Sequence, residues 1–215
     1  MSLFTLLDYA AVLVFAATGA LSASRAQLDV VGFVFLACLT GVGGGTVRDL
    51  LLDRNPVFWI ADPNYLAVAS VTALVVFFTA HRVESRLVAL RWLDSAALGV
   101  AAAAGSGIAL SLGLPAPMVL VMGMVTACMG GLMRDVVAND VPVVLSQGEL
   151  YVTCALAGSI TTLVLGRLGL GDVIAAAGCI AVTFGLRAGT LTLGWNLPTY
   201  RSTPPREQTP PDETE

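Results

Sequence analysis

The sequence predicts an all-α integral membrane protein with seven transmembrane helices, built as two inverted three-helix repeats plus a seventh helix. Three observations predict it. The chain is 56% hydrophobic and 12% charged, with mean hydropathy +0.83, whereas a soluble domain carries about a quarter charged residues. Its apolar residues fall into seven stretches separated by short polar or proline-bearing turns. Finally, Gly43-Gly44-Gly45-Thr46-Val47-Arg48-Asp49 returns 86 positions later as Met129-Gly130-Gly131-Leu132-Met133-Arg134-Asp135. At the same offset Leu7-Asp8 matches Leu93-Asp94, Gly19 matches Gly105, Pro56 matches Pro142 and Tyr65 matches Tyr151. Matches held in register over that length mark an internal duplication.

The first span, Leu3 to Leu21, is apolar apart from Asp8, small hydroxyl residues and Gly19, and is long enough for about 30 Å of hydrocarbon. A cleaved signal peptide wants a basic start, and the first Arg here is Arg25, so this segment is expected to stay as a helix. After the polar turn Ser22 to Asp29, the second span runs from Val30 to about Leu52 and carries the three glycines. Asp53-Arg54-Asn55-Pro56 ends it, because proline cannot continue a helix and pushes its predecessor to extended backbone. The third span is Tyr65 to about Ala80, followed by a basic loop with His81, Arg82, Arg86 and Arg91.

The second repeat follows the same plan. Its spans are Leu93 to Leu112, Met118 to Ala138 and about Leu150 to Leu165, with Asn139-Asp140-Val141-Pro142 closing the fifth as Pro56 closes the second. A seventh span, Val173 to Leu193, has no counterpart and carries Arg187 near its end. Residues 1–197 thus form the transmembrane domain, with repeat one at 3–80 and repeat two at 93–166. Residues 198–215 turn to Pro, Glu, Thr and Arg, a composition that cannot bury itself, and are expected to be a disordered cytoplasmic tail.

Three is odd, so the second repeat enters the membrane from the side opposite to the first. The repeats are therefore inverted about an axis in the membrane plane. Arg25, Arg82, Arg86, Arg91, Arg201 and Arg206 fall on one side, with Arg187 close by, against Arg54 and Arg167 on the other. The positive-inside rule places the amino terminus outside and the carboxyl terminus in the cytoplasm of a cell (inner) membrane.

Several chemistries are excluded. The chain has no Lys, so Gly41-Val42-Gly43-Gly44-Gly45-Thr46 is no phosphate-binding loop, and Thr46 stands where a dinucleotide fingerprint needs its third glycine. The four cysteines, scattered through apolar segments, read as small core hydrophobes, and with one His they offer no metal-ligand spacing. No nucleophile–base constellation points to an enzyme. No cofactor and no nucleic-acid partner is expected, only surrounding membrane lipid.

What remains is the doubled motif. Isolated glycines such as Gly19, Gly105 and Gly158 read as close helix packing. Gly43, Gly44, Gly45, Gly130 and Gly131 also admit a second reading, a functional kink that frees backbone carbonyls toward a cavity. Charge at the centre of a membrane helix costs roughly 2.5–3.5 kcal/mol, so Asp8, Arg48, Asp49, Asp94, Arg134 and Asp135 must pair or face water. The first span starts on the face where the second ends, which lets Asp8 meet Arg48; by the duplication, Asp94 meets Arg134 on the opposite face. Such pairs serve either to stitch the fold or to flank a path.

The paired Gly-Gly-x-x-Arg-Asp segments, the Leu-Asp start of each repeat and the three-plus-three-plus-one layout resemble the prokaryotic trimeric intracellular cation channels, a family also labelled as glycine transporters. The resemblance covers residues 3 to 193. It implies a homotrimer in which each subunit holds its own pore for monovalent cations, with potassium as the physiological ion and potassium or sodium permeant. It also implies that the kinked second and fifth spans line the pore together with the first and fourth. On that resemblance Gly43, Gly44, Gly45, Gly130 and Gly131 are kink residues, with Arg48, Asp49, Arg134 and Asp135 beside the path. Met129 stands where the second span has Gly43, which weakens the fifth-span bend. A lysine-containing lipid motif of the animal members has no equivalent in a chain without Lys. A secondary transporter of a small solute such as glycine suits inverted repeats equally well, and a membrane scaffold or an intramembrane enzyme is a third class.

Overall fold

The computed structural model describes residues 2–82, 85–146 and 149–198. Among them lie eight α-helices and no strand: α1 (Leu3–Arg25), α2 (Val30–Leu51), α3 (Phe58–Ala61), α4 (Asn64–Thr79), α5 (Arg86–Ser111), α6 (Ala116–Val137), α7 (Tyr151–Arg167) and α8 (Asp172–Leu193). All but α3 correspond to the seven predicted spans. Six are long and apolar enough to cross a membrane, counting α4 together with the short 3₁₀ turn that extends it. The seventh, α7, has 17 residues, a rise of about 25 Å, at the short end of what spans a bilayer.

Local chemistry sets the helix ends. The Ser2 hydroxyl accepts from the Thr5 N–H at 3.1 Å, and the Asp29 carboxylate accepts from Gly32 at 2.8 Å. These N-caps satisfy amide donors that the first turn leaves free. Ser85 does the same from Val88 at 3.4 Å, and this cap starts α5 seven residues before the predicted Leu93. Arg86 and Arg91, expected in a loop, therefore form the first turns of α5. α1 likewise runs on through Ser22 to Arg25, expected in the polar turn, and α3 adds a single turn between two spans. The tail expected from 198 lies, beyond Pro198, outside the described residues.

The duplication is visible in the backbone. Left-handed residues close α1 and α5 at Gln27 (φ 54°) and Gly113 (φ 71°), and close α2 and α6 at Asp53 (φ 51°) and Asn139 (φ 56°). Both pairs are 86 residues apart. At each α1/α5 end the same two turn bonds form: Gln27 N–H to Ser24 and Leu28 N–H to Ala23, then Gly113 N–H to Leu110 and Leu114 N–H to Ala109.

Packing follows the repeat as well. α1 packs on α2, α4 and α5; in the same way α5 packs on α6, α7 and α1, while α2 crosses α6. The addition is α8, laid against α5 and α7, so the middle of α5 is enclosed on every side. Its run Ala101 to Ala104 is at most 1% exposed, and small side chains there let five helices approach closely. The inner faces of α1, α2, α5 and α6 meet in the middle of the subunit, where the predicted site residues lie.

Candidate functional site: two charged clusters joined by a glycine crossing

Arg48, near the carboxyl end of α2, is fully buried. Its Nη1 donates to Asp8 Oδ1 at 2.7 Å and its Nη2 to Asp8 Oδ2 at 3.2 Å, a bidentate grip on α1. Its Nε donates to its neighbour Asp49 at 2.9 Å. Asp49 in turn accepts from Arg54 Nη1 at 2.9 Å and from the Phe58 N–H at 2.9 Å, which explains the single turn α3: its first amide caps onto a buried carboxylate. The Phe58 ring then faces the Arg48 guanidinium at 5.5 Å. With two carboxylates and two guanidiniums, this cluster is neutral.

On the opposite face the pattern repeats with Arg134, also fully buried. Its Nε donates to Asp135 at 2.8 Å and its Nη1 to Asp94 at 2.7 Å. Asp135 accepts from the Val143 N–H at 3.0 Å. Thus both predicted pairs, Asp8 with Arg48 and Asp94 with Arg134, are formed, and each motif arginine also takes the aspartate that follows it. Three details break the symmetry. Arg134 Nη1 also donates to Thr18 on α1 at 2.9 Å. Asp140 stands at the position equivalent to Arg54 and pairs instead with Arg25 at 3.0 Å. Behind this cluster Arg187 of α8, 1% exposed, donates to Glu149 at 2.7 Å and lies over the Tyr151 ring at 5.1 Å.

The glycines do something other than the expected unwinding. Both helices remain continuous through Gly43-Gly44-Gly45 and Gly130-Gly131, so no gap in either helix frees carbonyls at mid-depth. Instead the two helices cross there in van der Waals contact. A methyl at Gly130 would sit 2.5 Å from the Thr40 carbonyl oxygen, and one at Gly44 would overlap the Thr126 carbonyl oxygen. Thr40 and Thr126 are themselves related by the duplication. The same holds one layer out, where a methyl at Gly19 would lie 2.6 Å from the Leu36 carbonyl and one at Gly105 2.5 Å from that of Met122. The remaining motif glycines face side chains: Gly43 meets Met133 Sδ, Gly45 the Phe58 ring and Gly131 the Tyr151 hydroxyl.

Three spaces lie between the clusters and the two faces. Beside Asp8, on the face where α1 begins, a vestibule of ≈ 350 Å³ is lined by Phe4, Arg54, Phe58, Asp62 and Tyr65, among others. A neck of ≈ 10 Å³, lined by Phe15, Gly44, Ala101 and Thr126, continues from Asp8 and Phe58 toward the centre. It has room for about a single water. On the other face a second vestibule of ≈ 280 Å³ is lined by Arg25, Arg91, Arg134, Asp135, Asp140 and Glu149. At the rim of the first, the Tyr9 hydroxyl donates to Asp62. That bond, with the Asn64 N–H at 3.1 Å, holds the Asp62 carboxyl below the usual carboxylate range. Tyr9 also stacks on Tyr65 with centroids 3.9 Å apart.

Thr18, Arg54, Glu149 and Arg187 join the predicted site residues without having been assigned to them. Arg187 carried a signal, since a lone charge inside an apolar span demands a partner; Thr18, one hydroxyl among apolar neighbours, carried none.

A family model described as Glycine transporter matches residues 5–81 and again 91–167. The UPF0126 membrane protein of Vibrio cholerae serotype O1 is 35% identical over 207 residues, covering 94% of this chain and 84% of that protein. The UPF0126 inner membrane protein YadS of Escherichia coli strain K12 is 35% identical over 158 residues, 72% of this chain and 74% of its own. Among solved structures, the TRIC trimeric intracellular cation channel orthologue from Rhodobacter sphaeroides superposes with a TM-score of 0.87 at 40% identity, covering 90% of this chain and 100% of that one. A prokaryotic TRIC channel solved in 0.5 M KCl gives a TM-score of 0.84 at 26% identity, over 90% and 98% of the two chains.

Proposed function

This chain belongs to the UPF0126 membrane proteins, the prokaryotic members of the trimeric intracellular cation channel family, and from that premise we propose that it is a passive channel for monovalent cations, potassium foremost. It acts as a homotrimer in the cell (inner) membrane, amino terminus outside, with one conduction path in each subunit. The path runs from the Asp8 vestibule through the neck and past Arg134 to the second vestibule. The observation that carries this reading is that row of spaces on the inner faces of α1, α2, α5 and α6, bracketed by two Arg–Asp clusters. A carboxylate free of any guanidinium among the described residues, Asp62, favours cations at the first mouth, while at the second Asp135, Asp140 and Glu149 are each held by an arginine. The motif guanidiniums that would repel a cation are each held by carboxylates. The neck at the glycine crossing admits about a single water, and conduction requires α2 and α6 to shift or bend about it. No cofactor takes part, only the permeating ions.

A second reading, a carrier of a small solute such as glycine, is favoured by one observation: the two vestibules do not communicate through the neck, as alternating access requires. Recording purified protein in a planar bilayer under asymmetric potassium chloride separates them. Discrete current steps reversing near the cation potential support the channel; stepless flux that saturates with glycine refutes it in favour of the carrier.

A further inference from the structure

Resting on the channel reading, we propose that Asp62 sets the easier direction of cation flow. It concentrates cations at the proximal mouth, the one beside Asp8, and no described residue does so at the distal mouth, the one lined by Asp140. Current that enters from the Asp62 side is therefore the larger.

The asymmetry is one of charge balance. On the proximal wall Asp8 is held by Arg48, and Arg54 is held by Asp49. Asp62 lines the same vestibule, and among the described residues it accepts only from neutral donors, the Tyr9 hydroxyl and the Asn64 N–H. The proximal mouth is thus left with one negative charge. On the distal wall each carboxylate meets a guanidinium: Asp140 takes Arg25, Glu149 takes Arg187 and Asp135 takes Arg134. Arg134 serves Asp94 as well, and Arg91 on the same wall offsets that second carboxylate. Among the described residues that line the distal mouth and the groups paired with them, the charges cancel.

The duplication marks Asp62 as an addition to the shared motif. The positions 86 residues after Tyr9 and Asp62 are Ser95 and Gly148, so the second repeat has neither the carboxylate nor the hydroxyl that holds it. Asp62 is also fixed in place. Its N–H donates to the Phe58 carbonyl at 3.0 Å, and its own carbonyl accepts from the Tyr65 N–H at 3.3 Å. Phe58 is in turn anchored through its amide on the buried Asp49. Every cation that uses this vestibule passes a stationary charge. At roughly 6 Å in a water-like dielectric, one such charge raises the local cation concentration about two- to threefold.

The test is single-channel recording of the full-length protein in symmetric potassium chloride at about 20 mM and about 1 M, where the Debye lengths are roughly 20 Å and 3 Å. At the lower salt, one polarity of current should exceed the other about two- to threefold in the wild type and in Asp62→Glu, which keeps the charge. Asp62→Asn should carry equal currents, and at the higher salt the difference should vanish in all three. Equal currents in the wild type at low salt overturn the proposal, and so does an excess that persists in Asp62→Asn. A second measurement does not depend on current. Ser111→Cys on the proximal wall is modified by a cationic and by an anionic methanethiosulfonate, and mass spectrometry at that residue gives the two rates. The field acts on the reagents with opposite sign, so adding Asp62→Asn should lower the cationic-to-anionic ratio roughly four- to ninefold. The ratio at Ser146→Cys on the distal wall should not change. An unchanged ratio at Ser111→Cys refutes the charge assignment. If the wild type itself carries no current steps, the channel reading falls, and this ratio still decides whether Asp62 governs cations at that mouth.

Discussion

Alanine at Gly44 and alanine at Gly43, one residue apart on the same helix, should have opposite effects. Both changes restore about 1 kcal/mol of helix propensity. They differ in what the new methyl meets. At Gly44 it meets the carbonyl oxygen of Thr126, part of the α6 backbone, and the next atoms are also backbone, the Thr126 carbonyl carbon at 3.1 Å and the Gly130 nitrogen at 3.6 Å. Backbone cannot swing aside, so α2 and α6 must separate, and overpacking of that kind costs about 1–3 kcal/mol. At Gly43 the methyl meets the sulfur of Met133 at 2.8 Å, the mobile end of a flexible side chain that can take another rotamer. Gly44→Ala should therefore be neutral to destabilising by about 2 kcal/mol, and Gly43→Ala neutral to stabilising by up to about 1 kcal/mol. Thermal unfolding of the detergent-solubilised protein, with mass measured in parallel, reads both. A Gly44→Ala protein that melts above wild type while Gly43→Ala melts below it would refute the crossing and restore the hinge account.

Other consequences are as direct. Asp94→Asn leaves Arg134 buried with one carboxylate fewer and should cost about 3–5 kcal/mol, whereas adding Arg134→Gln should recover much of it; a double-mutant cycle without coupling would sink the pairing. Arg54→Gln removes a guanidinium that is 41% exposed, while Asp49 keeps Arg48 and the Phe58 amide. Its effect on the melting point should stay within about 1 kcal/mol, and a larger loss would show the outer cluster to depend on it. Asp62 is held below its usual range by the Tyr9 hydroxyl, so its contribution is complete above the unfolded value of about 3.9 and is lost as pH falls through the folded one. Tyr9→Phe should flatten that acid limb of the stability profile; an unchanged limb counts against the bond. Detergent-corrected mass should give a trimer, and a monodisperse monomer or dimer would contradict the assembly.

The spans and both Asp–Arg pairs were readable because membrane burial leaves little freedom. An apolar run of helical length has one fate in lipid, and a carboxylate and a guanidinium at equal depth have few other partners. The glycines were read less well. Gly44 signals that something needs space, but whether the space serves a break within α2 or a neighbour's backbone depends on where Thr126 lies, and α6 is 86 residues away. Thr18 was invisible for a related reason. Its chemistry comes from a cross-repeat contact with Arg134, and neither residue's neighbours in sequence mention it. The early start of α5 was open to a closer reading, since Ser85 stands three residues before Val88 as an N-cap should.

Each arginine of the doubled motif finds its main carboxylates within its own pair of consecutive spans: Asp8 and Asp49 for Arg48, Asp94 and Asp135 for Arg134. The α1–α2 and α5–α6 hairpins thus each neutralise their own arginine near one face. During synthesis, each can partition from the translocation machinery into lipid as a finished unit, its arginine already neutralised before any later helix has been made. Only then do the two hairpins need to find one another, through shape at the glycines, the Thr18 hydroxyl, and the Arg25–Asp140 and Arg86–Ser24 contacts near one face.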